Sequence, residues 1–512
     1  MPISSSTVSE AWWIASSSSA ETALTGAKGR RGCGLRAAGG AARVRSSRPR
    51  RPRRSPAGAP VSWGTAVSMV MDRLVAARIP PPSTGNCPVG GRAKRVAVTG
   101  SHFWIAASNK WRSRSPGASL NLGRSTGVNR MSRWDLAMSP HVTGGAGARQ
   151  AVGALTAART GPGAEVLLVA DPGLAATPLI GEVTASLVAA GLGVTVFSDF
   201  TGDPTAAQVD AAADMARRTG ARAVVALGGG SALDLGKAVG AIAGDTAPAV
   251  SYQLCERDFP AATLARICIP TTSGTGSEAT RTAIVTRADK AKVWLWGDAI
   301  KAHEIILDPE TTLSLPAHLT AQTGIDALVH ALEAATNGNA NAANNLYAHE
   351  AIRLASRNLE AAVADGSDLA ARDGLQRSAW LAGIAIDNGG TAVAHNIGHA
   401  LASLRPLHHG RSVALGMIAT LAWNLADDDG RFDAAARAMG LAGARELPEA
   451  FERLTRAVGI KVSLADEFAG VTPDALATQM ARPENAAMRL SNRRRIEDGD
   501  LLVFAERVLT QA

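Results

Sequence analysis

Cysteine is scarce in this chain. Cys33, Cys87, Cys255 and Cys268 show no C-x-x-C spacing and no regular framework, which argues against a disulfide scaffold and fits a reducing, cytoplasmic compartment. No run approaches 18 apolar residues, so no membrane span is expected. Near the N-terminus, AWWIASSSSAETALTG is too Ser-rich and too short in apolar core for a secretory signal, and it lacks the flanking positive charge. Acidic residues are nearly missing from the first quarter: residues 1–133 hold 22 Lys and Arg against 3 Asp and Glu, whereas 31 basic and 41 acidic residues follow. The formal net charge of +9 therefore describes no single domain. No fixed-period repeat is present, which argues against a solenoid.

What is present divides the 512 residues into a head and a body, within the two to four domains that such a length allows. The head, residues 1–133, is dominated by Ser, Gly, Ala, Pro and Arg, with RVRSSRPRRPRRSPAGAP as the extreme case. It has little periodic apolar surface to bury and is expected to be disordered. Its basic run suits nucleic acid or an anionic surface, with Trp12, Trp13, Trp63, Trp104 and Trp111 available for stacking. The blander reading, which is preferred, is a poorly structured extension or upstream sequence absent from the mature protein, since Met131 precedes the first globular pattern.

From Trp134 the pattern changes. After a Gly-containing turn (HVTGGAGARQAVGAL), buried-strand runs at Glu165–Ala170, Val194–Ser198 and Ala223–Leu227 alternate with helical stretches to Ala190 and over Ala206–Thr219. This rhythm predicts βαβ units and a parallel sheet. The third strand runs into Gly228-Gly229-Gly230-Ser231, and the following helix carries Asp234 and Lys237. Glycines at such a turn let backbone N–H groups approach a pyrophosphate at a helix N-terminus, although the G-x-G-x-x-G spacing is lacking. A second loop, Pro270 to Glu278 (PTTSGTGSE), follows the strand Arg266–Ile269, and both loops are expected at the sheet edge where open α/β folds bind ligands. Taken singly, each is also compatible with a structural turn. Further strand-like pieces (AIVT, KVWLWG, EIIL) precede Asp308, and residues 318–512 read as helical from their three- and four-residue apolar spacings.

Between Thr323 and Gly410 lie four metal-donor side chains in two pairs. Asp326 and His330, in TGIDALVHALEAA, stand four residues apart among helix formers, which places both on one helix face, one turn apart. His395 and His409 form the second pair, in AVAHNIGHALASLRPLHHG. Three imidazoles and a carboxylate suit Fe²⁺ or Zn²⁺, whereas Ca²⁺ and Mg²⁺ prefer oxygen shells. One such His alone is more often an ordinary helix-face residue; the upstream glycine loops lift the set above that reading.

Four blocks in order, GGGSALDLGK, PTTSGTGSEAT, TGIDALVHALE and AHNIGHALASLRPLHHGRSVALGM, resemble the iron-containing (group III) alcohol dehydrogenases of the dehydroquinate synthase-like superfamily, from about Trp134 to the C-terminus. The resemblance implies an α/β dinucleotide-binding domain with a parallel sheet over residues 134–317 and an all-α metal-binding domain over 318–512, with the active site in the cleft between them. Residues 1–133 have no counterpart in that family. It implies Asp326, His330, His395 and His409 as metal ligands, with Asp326 and His330 catalytic through the metal, and His399 as a proton relay near the nicotinamide. His408 departs from the Pro common at its position. For the cofactor, NAD, it implies pyrophosphate contacts at Gly229, Gly230 and Ser231, with Asp234 on the same helix and Thr271 and Thr272 alongside. Lys292 resembles the lysine that reaches the nucleotide, and Asp171 falls near the adenosine ribose. A carboxylate at Asp171 accepts hydrogen bonds from a 2′-hydroxyl and repels a 2′-phosphate, so NAD(H) is expected over NADP(H). Asp203 sits where relatives often carry Asn, which leaves that ribose contact open.

The activity so implied is hydride transfer between a small-molecule alcohol, or an aldehyde or ketone in reverse, and NAD(H), with Fe²⁺ or Zn²⁺ activating the alcohol oxygen. Family members commonly form homo-oligomers. Two other readings stay open. A dehydroquinate synthase-like lyase would need Lys and Arg for a phosphorylated, carboxylated substrate, and AIDNGGTAVAHNIGHALAS nearly lacks them. A nucleic-acid-binding protein would act through the head. Near Ile386, Arg281 and Asp387 are unusual charges; they suit a polar or acidic substrate or form a structural ion pair, the second being favoured.

Overall fold

A computed structural model describes residues 135–138 and 140–511; the basic segment 1–133, with the expectations of disorder and of nucleic-acid binding attached to it, lies outside the described residues. Six strands form one all-parallel sheet in the spatial order β1 (His141–Gly144), β8 (Glu304–Leu307), β5 (Ala265–Pro270), β4 (Ala223–Gly228), β2 (Glu165–Ala170), β3 (Gly193–Phe197). The central strand β4, AVVALG, is buried along its whole length, and so is β2, EVLLVA, beyond its first residue. Strands covered on both faces need such near-continuous apolar runs. Alternation still decides which core each residue joins. Leu167 and Val169 of β2 pack with helices α3 (Ala206–Thr219) and α4 (Gly230–Ile242), whereas Val166 and Leu168 pack with α1 (Val152–Thr160) and α2 (Leu179–Ala189) on the other face.

The stretch HVTGGAGARQAVGAL, expected as a turn, opens instead with the edge strand β1, which pairs in parallel with β8 and sets His141 opposite Glu304. Four residues with one aliphatic side chain, Val142, are too few to show alternation. The partner that makes them a strand lies far along the chain. Two further strands, β6 (Thr282–Thr286) and β7 (Lys292–Trp296), form a separate antiparallel ribbon, whose Ala283, Val285, Val293 and Leu295 join the α4 side of the core.

The connections define where a ligand can sit. From β2 the chain runs outward to β3, then returns past β2 to β4 on its other side. The two crossovers leave in opposite directions, so a crevice opens at the carboxyl ends of β2 and β4.

From Ala317 onward the chain is helical, led by α5 (Ala317–Thr336), α6 (Ala342–Ala364), α7 (Leu369–Gly389), α8 (Val393–Leu404) and α9 (His409–Leu425). Helix α5 lies at the centre, against α6, α7 and α9, and nearly all of it beyond Thr320 is buried. A helix enclosed on all sides is apolar all round, and α5 is so except at a few positions. Asp326, His330 and Glu333 are three of these, and such burial is tolerated only where partners are supplied. Among the described residues no helix is long and apolar enough to cross a membrane.

Candidate active site

The four donors named from sequence converge. Asp326 and His330 project from one face of α5, His395 from the first turn of α8, and His409 from the start of α9. One ligating atom from each lies within 4.8 Å of the other three. Asp326 Oδ1 stands 3.8 Å from His330 Nδ1, 3.7 Å from His395 Nε2 and 3.6 Å from His409 Nε2. Tetrahedral donors ~2.1 Å from a shared cation would be roughly 3.4 Å apart, so the spacing fits a first-row ion with little adjustment. Three of these atoms, Asp326 Oδ1, His330 Nδ1 and His395 Nε2, are buried with no hydrogen-bond partner. Buried polar atoms left without a partner are costly unless something occupies the space between them.

Close helix contact makes the convergence feasible. Gly410, next to His409, lies so near α5 that a Cβ there would fall 1.8 Å from the carbonyl oxygen of Gln322. Only glycine lets the first turn of α9 reach Asp326. His408 caps that helix, its Nδ1 accepting from the Gly410 N–H at 3.2 Å.

Burial pushes the imidazoles of His330 and His409 down, to about 4 and about 3, so both carry lone pairs at neutral pH. The carboxyl of Asp326 would be raised by burial, but the surrounding imidazoles, His330 and His409 foremost, hold it below the usual carboxylate range. His395 differs: burial opposes its charge, yet Glu333 and Asp326 push it up to about 9. Glu333 was assigned no role from sequence. Its carboxylate lies 2.6 Å from His395 Nδ1, and the signal that would have found it is its position seven residues after Asp326, on the same helical face.

His399 sits beside the cluster, its ring centroid 5.4 Å from that of His409 and 6.4 Å from that of His395. Burial, reinforced by His409 and Lys292, keeps its imidazole well below the ordinary range and neutral.

At the sheet edge the two glycine loops meet. Asp171 follows β2 and accepts from the Gly173 N–H at 2.9 Å. Gly228 ends β4 at φ +153°, and a Cβ there would lie 2.7 Å from Asp171 Cβ. Thr271 donates its N–H to the Gly228 carbonyl at 2.9 Å. A Cβ on Gly229 would stand 3.2 Å from Thr272 Cγ2, and one on Gly230 2.6 Å from Thr275 Cγ2. Helix α4 starts there with Ser231 in its first turn and no side-chain cap, so its leading N–H groups suit an anion.

Three expected residues have partners inside the protein. Lys292 of β7 pairs with Asp203. Burial would raise the Asp203 carboxyl, but Lys292 first, then His409 and His408, lower it, which places the pair close to the metal donors. Asp234 is engaged within the fold: its Oδ1 accepts from the Ser277 hydroxyl, its Oδ2 from the Ile284 N–H at 2.9 Å, and buried Lys237 lies 3.4 Å away. A buried ammonium needs a nearby anion, and Asp234 lies beside Lys237 in that position. Arg281 and Asp387 form an ion pair, Nε to Oδ2 at 3.1 Å, with the Arg281 N–H donating to Oδ1 at 2.7 Å and Lys301 3.6 Å away.

A crevice at the switch point of a parallel sheet, joined to helices that gather a carboxylate and three imidazoles, defines an α/β protein with a helical half that carries a candidate metal site. The family described as "Iron-containing alcohol dehydrogenase" matches residues 139–309, and that described as "Fe-containing alcohol dehydrogenase family, C-terminal" matches residues 320–505. The chain is 35% identical to the choline dehydrogenase of Bacillus subtilis over 282 residues, 54% of this chain and 70% of that protein. It is 33% identical to the NAD-dependent methanol dehydrogenase of Bacillus methanolicus over 312 residues, 59% and 81% of the two chains. The sulfoacetaldehyde reductase of Bifidobacterium kashiwanohense, solved in complex with NAD+, aligns with a TM-score of 0.69 and 25% identity over 74% of this chain and 99% of that one. The chain belongs to the iron-containing alcohol dehydrogenases, and it is an oxidoreductase of that family.

Proposed function

We propose that this protein transfers hydride between a small alcohol and NAD(H), running as an aldehyde or ketone reductase in reverse, with a divalent cation held by Asp326, His330, His395 and His409. The observation that carries this reading is the buried meeting of those four donors, three of whose ligating atoms have no partner within the protein. When bound, the cation supplies Lewis acidity toward the substrate oxygen and the dinucleotide supplies the hydride acceptor or donor.

The residues do the rest. Asp326 offsets part of the ion's charge, and the imidazoles offer lone pairs without having to shed protons at His330 and His409. His399, neutral and next to the ligand rings, takes up the substrate's hydroxyl proton on a ring nitrogen, directly or through a water, and returns it in the reverse direction. Gly229, Gly230 and Ser231 approach the pyrophosphate at the open end of α4, with Thr271 and Thr272 closing the other side. The Asp171 carboxylate accepts from the ribose hydroxyls and disfavours a 2′-phosphate, so NAD(H) is the expected partner. Lys292, paired with Asp203, reaches toward the nucleotide. The names of the relatives, one an NAD-dependent methanol dehydrogenase and one a choline dehydrogenase, support a small-alcohol substrate. The donor set accepts Fe²⁺ and Zn²⁺ alike.

The test is metal analysis of the purified chain, followed by initial rates with short alcohols, diols and hydroxy acids in the presence of NAD+ or NADP+. The expected result is NADH formation that requires the ion and favours NAD+. A metal-loaded chain that neither forms NADH from these alcohols nor consumes it with the matching aldehydes would overturn the reading, and phosphate release without net NADH would point to a lyase.

A further inference from the structure

Glu333 is 3% exposed, and it follows Asp326 and His330 along one face of α5. Both its oxygens are used, and all their partners belong to one junction. Oε2 accepts from the Ala392 N–H at 2.7 Å and faces His395 Nδ1 at 2.6 Å, while Oε1 accepts from the Ala394 N–H at 2.6 Å. Ala392 is the N-cap of α8 and offers no side-chain cap of its own. A helix start leaves N–H groups without partners and carries partial positive charge. Here a carboxylate from a different helix satisfies both needs.

The same carboxylate acts on the ring of His395. With Nδ1 opposite an acceptor, the neutral ring keeps its proton on Nδ1 and offers the lone pair of Nε2 to the cluster. The ring is also fixed in direction: it lies on His330, centroids 4.4 Å apart and planes 24° apart, with Nε2 3.7 Å from Asp326 Oδ1.

We propose that Glu333 is a positioning residue which presents His395 to the metal, one carboxylate both capping α8 and determining which ring nitrogen faces the other three donors. The inference rests on the metal reading above and goes beyond it in naming what holds one ligand in place. Because Glu333 and the two ligands of α5 share one helix, the brace moves together with the donors it serves.

The experiment uses the full chain. Affinity for Zn²⁺ and Co²⁺ is measured by competition with a chromophoric chelator for the parent, Glu333→Gln, His395→Ala and the double substitution, alongside melting of each metal-free protein. Glu333→Gln should weaken metal binding by ~10–100-fold. It should have little further effect once His395 is Ala, because the effect passes through that ring. Equal weakening in both backgrounds, or none in the parent background, overturns the positioning role while leaving the metal reading intact. A parent chain that takes up neither ion overturns both. Should the Gln chain fail to fold, the Zn²⁺-loaded parent with ¹⁵N-labelled histidine decides the matter: His395 is expected to carry its proton on Nδ1, and a ring coordinating through Nδ1 refutes the proposal.

Discussion

Glu278, in the loop after β5, is 2% exposed and lies close to Lys237 and Asp234. Burial pushes its carboxyl from the ordinary 4.5 up to about 7, against the pull of its own backbone N–H and of Lys237. The fold therefore holds the proton more tightly than the unfolded chain does. The stability linked to that proton is fully present below pH 4.5 and is lost as pH rises through 7, a difference on the order of 3 kcal/mol. Glu278→Gln should melt with the parent at pH 4.5 and above it at pH 8.5; melting curves with the same offset at both pH values would refute burial as the cause. At this scale the sequence was informative where spacing carried the chemistry. Asp326 and His330 are one turn apart on any helix, and the two later histidines complete a recognisable donor set. It was uninformative where a side chain's partner comes from elsewhere in the fold. Nothing local to Asp234 shows that Ser277 and Ile284 engage it.

Between elements, glycine decides how closely two helices approach. Gly410→Ala puts a methyl group into the carbonyl of Gln322, so α9 has to move off α5. Overpacking of this kind costs about 1–3 kcal/mol; the expected result is a lower denaturation midpoint together with weaker metal retention, because His409 moves with α9. Retention unchanged at a lowered midpoint would show that the helix start tolerates the shift. The C-terminal end of α7 is tied to the α/β half through Asp387, which is 1% exposed in its side chain and pairs with Arg281 and Lys301. Asp387→Ala leaves two cations without that anion, and urea unfolding should register a loss of roughly 3–5 kcal/mol. A loss below about 1 kcal/mol would mean that water already screens the pair. Most elements were legible beforehand: β2 and α3 have the limits read from the sequence, because a continuous apolar run and a helical period are local signals. Strand β1 was not, since its four residues gain strand character only from β8, and the ribbon β6–β7 could be read as strands without showing that it leaves the main sheet.

For the whole molecule, a ligand that binds only the folded state raises its stability by mass action. Free Zn²⁺ at a hundred times its dissociation constant should add about 2.7 kcal/mol to unfolding, and a chelator should remove the gain. Asp326→Asn should abolish most of that increment while leaving the metal-free protein folded; thermal melts with and without ion measure it. A metal-independent melt of the parent would contradict the site. The α/β body and helical remainder followed from composition and period, and four motif blocks were specific enough to indicate the family. The order of the strands, and hence the crevice between β2 and β4, depended on tertiary pairing that no single stretch displays.

Helix α5 bears two donors and the carboxylate that steers a third, so heating or distant substitutions that displace it carry these groups along as one body and barely alter their mutual spacing. What can vary is the reach of α8 and α9 toward it. The short link at residues 405–408 joins those two helices, and changes in its length or stiffness are where descendants of this chain would retune how closely the four donors gather without rebuilding the core.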